Sequence, residues 1–254
     1  MIDDPLTAVK SQPIDPTGAA TLELFTENDD YSEFLWERLC KASPHKLTGR
    51  VLEAGCGIGN LTRILLRSEE VSFLHAIDMD PAYVRRVETQ VVDPRLRVTA
   101  SPAEEFCPAQ YQSPEGAFDA IVSSNVLEHI EDHTRVMHNF RRMLRPGGVA
   151  LILVPAHPFL YCDLDRNLSH FRRYRRQDFV ELAHETDLEL LRLRHFNPLG
   201  TVGWWLNGKV LRRSVLPAQQ LAFYTRFAIP VSRWLDRINP FPLGISLLAA
   251  LGRR

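Results

Sequence analysis

Three glycines at alternate positions, Gly55, Gly57 and Gly59, close a short apolar run that begins V-L-E-A at Val51. Glycine at this spacing permits positive φ angles and brings a ligand against bare peptide. The N–H groups of a helix opening at Asn60 converge on the same point. Glu53 stands just before the turn, and Asp78 closes the next apolar run, Phe73 to Asp78. An acid at the carboxyl end of a parallel strand is placed to accept both hydroxyls of a ribose. Asp80 and Pro81 read as the cap and first turn of a helix, which leaves Asp78 for the ligand. The dinucleotide fingerprint G-x-G-x-x-G is not met, because Asn60 occupies its last position.

Further along, titratable residues gather where strands should end. Ala117 to Ser123 reads as a strand and runs into Ser124-Asn125 and then Leu127-Glu128-His129-Ile130. His129 and His133 are four apart and would share a face on a continuous helix, but no H-E-x-x-H is present. Glu131-Asp132 also reads as a helix start that breaks such a face, so no metal site is expected there. His129 is instead read as a general base or acceptor-orienting group, with helix capping or packing as the alternative. The stretch from Ala156 to Arg176 holds His157 and His170, Asp163 and Asp165, and five arginines among aromatics. Such a set could grip a phosphate, a carboxylate or a nucleotide, or the two aspartates could pair with arginines to staple a long loop.

The elements that must position these residues follow from periodicity. Leu22 to Cys40 reads as one or two helices and Leu96 to Ala100 as a strand. Thr134 to Leu144 is a helix with apolar residues at helical spacing. Pro146-Gly147-Gly148 punctuates the chain before Val149 to Val154, whose apolar run suits a strand covered on both faces. Phe179 to Ala183 is helical, and Leu188 to Phe196 and Gly244 to Leu251 are strands six and seven. Between them, residues 197–243 carry Trp204, Trp205, Phe223, Tyr224, Phe227 and Trp234 with five arginines. That is far longer than an ordinary connection and reads as a helical cap.

Taken together, Glu53 with its glycines, Asp78, F-D-A-I-V-S-S-N-V-L-E-H-I-E-D from Phe118 and L-R-P-G-G-V-A-L-I-L-V-P from Leu144 resemble the ordered motifs of class I S-adenosylmethionine-dependent methyltransferases. The resemblance covers about residues 50–155 and implies an α/β fold, a seven-stranded Rossmann-like sheet with helices on both faces, to which the long 197–243 connection adds a helical insertion between strands six and seven. It implies one domain over residues 21–254 after a flexible arm at 1–20, with an acceptor lid at 156–176 and the cap at 197–243. S-adenosyl-L-methionine would lie against Tyr31, Glu53, Gly55, Cys56, Gly57, Gly59, Asp78, Met79, Ala103, Glu104 and Asn125, with Tyr31 and Asn125 near its methionine end. Where the family presents Asp-Ala to the adenine, this chain has Pro102-Ala103, so Ser101, Glu104 or backbone carbonyls must serve. His129, His157 and His170 are the candidate bases, His129 first, with Asp165 an orienting partner.

Bulk properties narrow the acceptor. The 254 residues carry a net charge of −1, and Ser124-Asn125-Val126-Leu127 stands at the end of strand four where N-P-P-Y or D-P-P-Y would be, so a nucleic-acid partner is not expected. Four cysteines without paired spacing suit a reducing, cytoplasmic compartment, and no secretory leader is read at the N-terminus. The expected reaction is methyl transfer, by default to oxygen, on a small-molecule, lipid-linked or glycan acceptor. The cap is expected to close over that acceptor, rest on a membrane surface or meet a second copy. Two other readings stay open: a repurposed or non-catalytic S-adenosylmethionine-binding protein, and a nicotinamide-dependent oxidoreductase.

Overall fold

The computed structural model describes residues 30–111, 117–215, 217–238 and 243–254. The arm at 1–20 and the first part of the expected leading helix lie outside them. Helix α1 (Asp30–Ala42) precedes a sheet of seven strands: β1 (Gly49–Ala54), β2 (Val71–Asp78), β3 (Leu96–Ala100), β4 (Phe118–Ser124), β5 (Leu144–Pro155), β6 (Glu189–Phe196) and β7 (Ser246–Gly252). Their order is β3-β2-β1-β4-β5-β7-β6, and β7 runs antiparallel to both its neighbours. This is the doubly wound methyltransferase-type sheet that the motifs imply. The chain winds outward from β1 through β2 to β3 and then crosses to β4 on the other side of β1. The crevice at the carboxyl ends of β1 and β4 is therefore the topological switch point, where open α/β sheets bind ligands.

Helices cover both faces, and alternation along β5 shows how. Ala150, Ile152 and Val154 enter one core with Val136, Met137 and Phe140 of α4 (His133–Met143) and Phe179 and Leu182 of α6 (Arg176–Glu185). Val149, Leu151 and Leu153 enter the other with Phe34, Leu35 and Leu39 of α1 and Ile64 and Leu65 of α2 (Asn60–Leu66). The expected caps are present: Asp80 accepts from Ala82 N at 2.8 Å to open α3 (Pro81–Gln90), and Asp132 accepts from Arg135 N at 3.0 Å to open α4. Strand β5 starts earlier than its apolar run predicts. Leu144 already pairs with Phe118, and the Pro-Gly-Gly stretch lies inside the strand as an irregularity. Gly147 N donates to Arg253 O and Gly148 O accepts from Arg253 N, so the end of the chain holds the irregularity in the sheet.

The insertion after β6 is helical, with α7 (Pro198–Trp205), α8 (Ala218–Phe223) and α9 (Ile229–Ile238). Asn197 gathers it: its Oδ1 accepts from Gly200 N at 3.0 Å, from Ser232 Oγ at 3.1 Å and from the Tyr224 hydroxyl. Ile229 is buried against the core that contains α1, whereas Trp205, Phe223, Phe227 and Trp234 are exposed. Among the described residues no helix is long and apolar enough to cross a membrane.

Leu151 is fully buried in the central strand. Leu151→Ala should therefore cost about 2–5 kcal/mol, read as a lower urea midpoint with unchanged slope. A midpoint within error of wild type would show that the strand lies at a surface.

Candidate active site

The glycine turn is built as its spacing requires. Gly55, Gly57 and Gly59 have φ of 81°, 52° and 87°. Gly55 N and Cys56 N both donate to Ile77 O, at 2.8 and 2.9 Å, which folds the turn back over the end of β2. A Cβ at Gly55 would stand 2.2 Å from Val126 Cγ2, so the loop after β4 presses directly on the turn. Asp78 locks the arrangement: Oδ2 accepts from Gly57 N at 2.8 Å and Oδ1 from Asp80 N at 2.9 Å. A carboxylate has about four acceptor positions, so two amides leave capacity for a pair of hydroxyls. Met79 beside it is exposed.

Two acids are thus crowded under the turn. Glu53 is buried and accepts from Thr62 Oγ1 at 2.7 Å. Burial, chiefly, pushes its carboxyl up to about 8; Asp78 adds to the rise, while Thr62 and Arg63 oppose it. Burial also raises Asp78, against the N–H bonds from Asp80 and Gly57. Burial pushes the Cys56 thiol well up as well, so Cys56 is a packing residue here and not a nucleophile. In the loop after β3 the Ala103 methyl is buried in the core and the Glu104 carbonyl accepts from Asn139 Nδ2 at 2.9 Å. Any adenine contact from these two must use remaining backbone or the half-buried Glu104 carboxylate.

At the end of β4 the exposed Asn125 takes φ 54° while its N–H continues the ladder to Leu153 O at 2.9 Å. The single helical turn Leu127–His129 follows. His129 and His133 do not share a helix face, since α4 starts only at His133, whose Nδ1 lies 3.0 Å from the Tyr174 hydroxyl. The fold instead brings His129 to His170, with ring centroids 4.7 Å apart. Asp165, in the short helix α5 (Asp163–Asn167), lies 3.1 Å from His170 Nδ1 and accepts from Arg173 Nε at 2.7 Å. The buried pairing of Asp165 with Arg173 staples the 156–176 segment, whereas the exposed pair of Asp163 with Arg166 lies within α5 itself. His157 is drawn elsewhere: it stacks on His195 of β6, centroids 4.8 Å apart and rings within 8° of parallel. Tyr31 packs half-buried against the core that contains α1, its hydroxyl pushed up to about 12 by burial and secondarily by Glu128.

Sequence reasoning misses Glu128. It is fully buried, and burial raises its carboxyl to about 7. The one signal for it is an acid flanked by Val126, Leu127 and Ile130 directly after a central strand. Trp204 belongs to the expected cap, yet its Nε1 donates to Asp165 Oδ2 at 3.3 Å.

A methyltransferase-domain family model matches residues 24–193. The chain belongs to that family. A probable S-adenosylmethionine-dependent methyltransferase of Mycolicibacterium smegmatis is 28% identical over 180 residues, covering 68% of this chain and 65% of the relative. A ubiquinone biosynthesis O-methyltransferase of Xanthomonas oryzae is 31% identical over 102 residues, 39% of this chain and 40% of its own length. The chain spans less than two thirds of the length of these curated relatives. A Haloferax volcanii methyltransferase solved with its Trm112 activator superposes with a TM-score of 0.64 at 13% identity, covering 92% of this chain and 95% of that one, a likeness of fold alone. S-adenosylmethionine is the cofactor of this methyltransferase family, and the bare turn at Gly55 to Gly59, the buried acid before it and the spare acceptor capacity of Asp78 fit it.

Glu53 makes the ligand-free domain sensitive to pH. Its folded carboxyl keeps the proton to about 8 against 4.5 when free, so its contribution to stability is full below pH 4.5 and is lost as pH rises through 8. Over that window the melting temperature of wild type should fall relative to that of Glu53→Gln. Parallel curves would show that Glu53 is ionised throughout.

Proposed function

We propose that this methyltransferase domain carries a methyl group from S-adenosylmethionine to a hydroxyl oxygen of a small-molecule, lipid-linked or glycan acceptor. The observation that carries the reading is the contact of Val126 with Gly55, which sets the cofactor turn directly against the loop that presents Asn125, Glu128 and His129. When bound, S-adenosylmethionine supplies a methyl already activated on a sulfonium. The protein's part is then positional. Gly57 and Asp78 hold the nucleoside end, and Tyr31 and Asn125 border the methionine end. His129 orients the acceptor oxygen, with His170 and Asp165 behind it. The oxygen preference is supported by the O-methyltransferase among the relatives, and the absence of N-P-P-Y, the pattern for exocyclic amines of bases, disfavours a nucleic-acid acceptor. A lipid-linked acceptor is supported by the exposed Trp205, Phe223, Phe227 and Trp234 of the insertion, a larger apolar surface than a helix needs for folding.

Calorimetric titration with S-adenosylmethionine, S-adenosylhomocysteine and NADH tests the cofactor. The first two should bind in the micromolar range, about −8 kcal/mol, and NADH should not. Asp78→Ala should weaken both adenosyl ligands by about 1–3 kcal/mol. Binding unaltered by that change would remove Asp78 from the site, and binding of NADH alone would replace the reaction class. Methyl transfer to a panel of hydroxyl acceptors then tests the oxygen preference, and turnover confined to amines would overturn it.

A further inference from the structure

Glu128 poses a problem of charge. It is fully buried at the end of the central strand, and neither carboxylate oxygen has a hydrogen-bond partner. A buried acid left in that condition is costly unless a cation or a proton completes it. His170 Nε2 is 4.0 Å from Glu128 Oε1, and one ligand atom each from Glu128, His129 and His170 can be chosen so that all three lie within 4.8 Å of one another. The second ring nitrogen of His170 is committed to Asp165 Oδ1, at 3.1 Å. Asp165 is itself fixed by Arg173 Nε at 2.7 Å, Cys162 N at 3.0 Å and Trp204 Nε1 at 3.3 Å. A carboxylate held on Nδ1 places the proton there and leaves the lone pair on Nε2, toward Glu128. This is the outer-sphere arrangement that supports metal-bound histidine.

We propose that Glu128, His129 and His170 form a divalent-cation site, two imidazoles and one carboxylate, that takes a borderline first-row ion of the Zn²⁺ type. Ligand atoms around a four-coordinate ion of this kind stand roughly 3.4 Å apart, so binding draws the three side chains inward by about 1 Å. Imidazole donors favour Zn²⁺ over Mg²⁺, which prefers all-oxygen surroundings. Three protein ligands leave a coordination position for water or for an acceptor oxygen. That last role rests on the methyl-transfer reading above: His129 then orients the acceptor through the ion. The site itself does not depend on that reading.

The test uses the full chain, stripped with a chelator and titrated calorimetrically with Zn²⁺, Mn²⁺ and Mg²⁺ separately. One equivalent of Zn²⁺ should bind in the micromolar range or tighter, with Mg²⁺ at least 100-fold weaker. Glu128→Gln and His170→Ala should each lower Zn²⁺ affinity at least 100-fold, and Asp165→Asn about 10- to 100-fold. Circular dichroism and S-adenosylhomocysteine binding should be retained in all three, which separates a lost ligand from a lost fold. No Zn²⁺ binding by the stripped wild type overturns the proposal and leaves Glu128 and His170 a plain acid–histidine pair. Stoichiometric binding that persists in both ligand variants also overturns it, and would place the ion on an exposed thiol such as Cys40. Zn²⁺ bound at the three residues with methyl transfer unaffected by chelation would overturn only the acceptor role. Because metal binding is read without turnover, failure of the methyl-transfer reading and failure of the metal site give different results.

Discussion

The bond from Gly57 N to the Asp78 carboxylate ties the end of β1 to the end of β2, and the ligand edge of the sheet is organised on it. A backbone forced to positive φ at three alternate positions has no regular hydrogen bonding of its own, so its shape must be imposed from outside. Ile77 O takes the first two N–H groups and Asp78 the next. The same carboxylate receives Asp80 N, and Asp80 caps α3, so turn, strand end and helix start are one hydrogen-bonded unit. Burying Glu53 immediately beneath adds a second acid that burial holds in its protonated range.

A second unit faces it from the far side of the switch point. Asp165 is the hub: Arg173 and Trp204 converge on it, and Arg173 also lies 4.6 Å over the Trp204 ring and donates to Ala156 O. Asp165 stays ionised despite burial because His170 and Arg173 hold its carboxyl down. Glu128, facing the other nitrogen of the His170 ring, has no equivalent donor and is pushed the opposite way. Two buried acids with opposed environments at one sheet edge mark a place built for charge rather than for packing.

Much of the scaffold is legible in the sequence. Its strands are apolar runs punctuated by turn residues, and local chemistry alone marks Asp80 and Asp132 as caps. The glycine turn and Asp78 are legible too, the turn from its glycine spacing and Asp78 from its place at the end of an apolar run, although the bond between them spans two strands. The acceptor side is not, because its contacts join distant segments. Spacing offers His133 as the neighbour of His129; the fold supplies His170, since the chain after Glu128 breaks for Asp132 before a helix can form. Nothing local indicates that His157, at φ 64°, turns to stack on His195. The Pro-Gly-Gly stretch reads as a turn on its own and lies in the strand through pairing with Arg253 and, at its flanks, with β4, both distant in sequence.

The insertion connects these two kinds of information. Its α7 contributes Trp204 to Asp165, and a Cβ at Gly208, just beyond α7, would meet Cys162 Sγ at 2.3 Å, so the segment is packed tightly onto the acceptor wall. Its opposite side exposes Trp205, Leu206, Val210 and Leu211. The segment is joined through Trp204 and Asp165 to the His170 ring. The sheet edge can only present a methyl donor, and every acceptor must still be admitted and selected. The selecting surface has to contact both the solvent side and the reacting side. In this chain the helical insertion reaches Asp165 through Trp204 and Tyr161 O through Lys209, while Trp205 and Leu206 beside them are exposed.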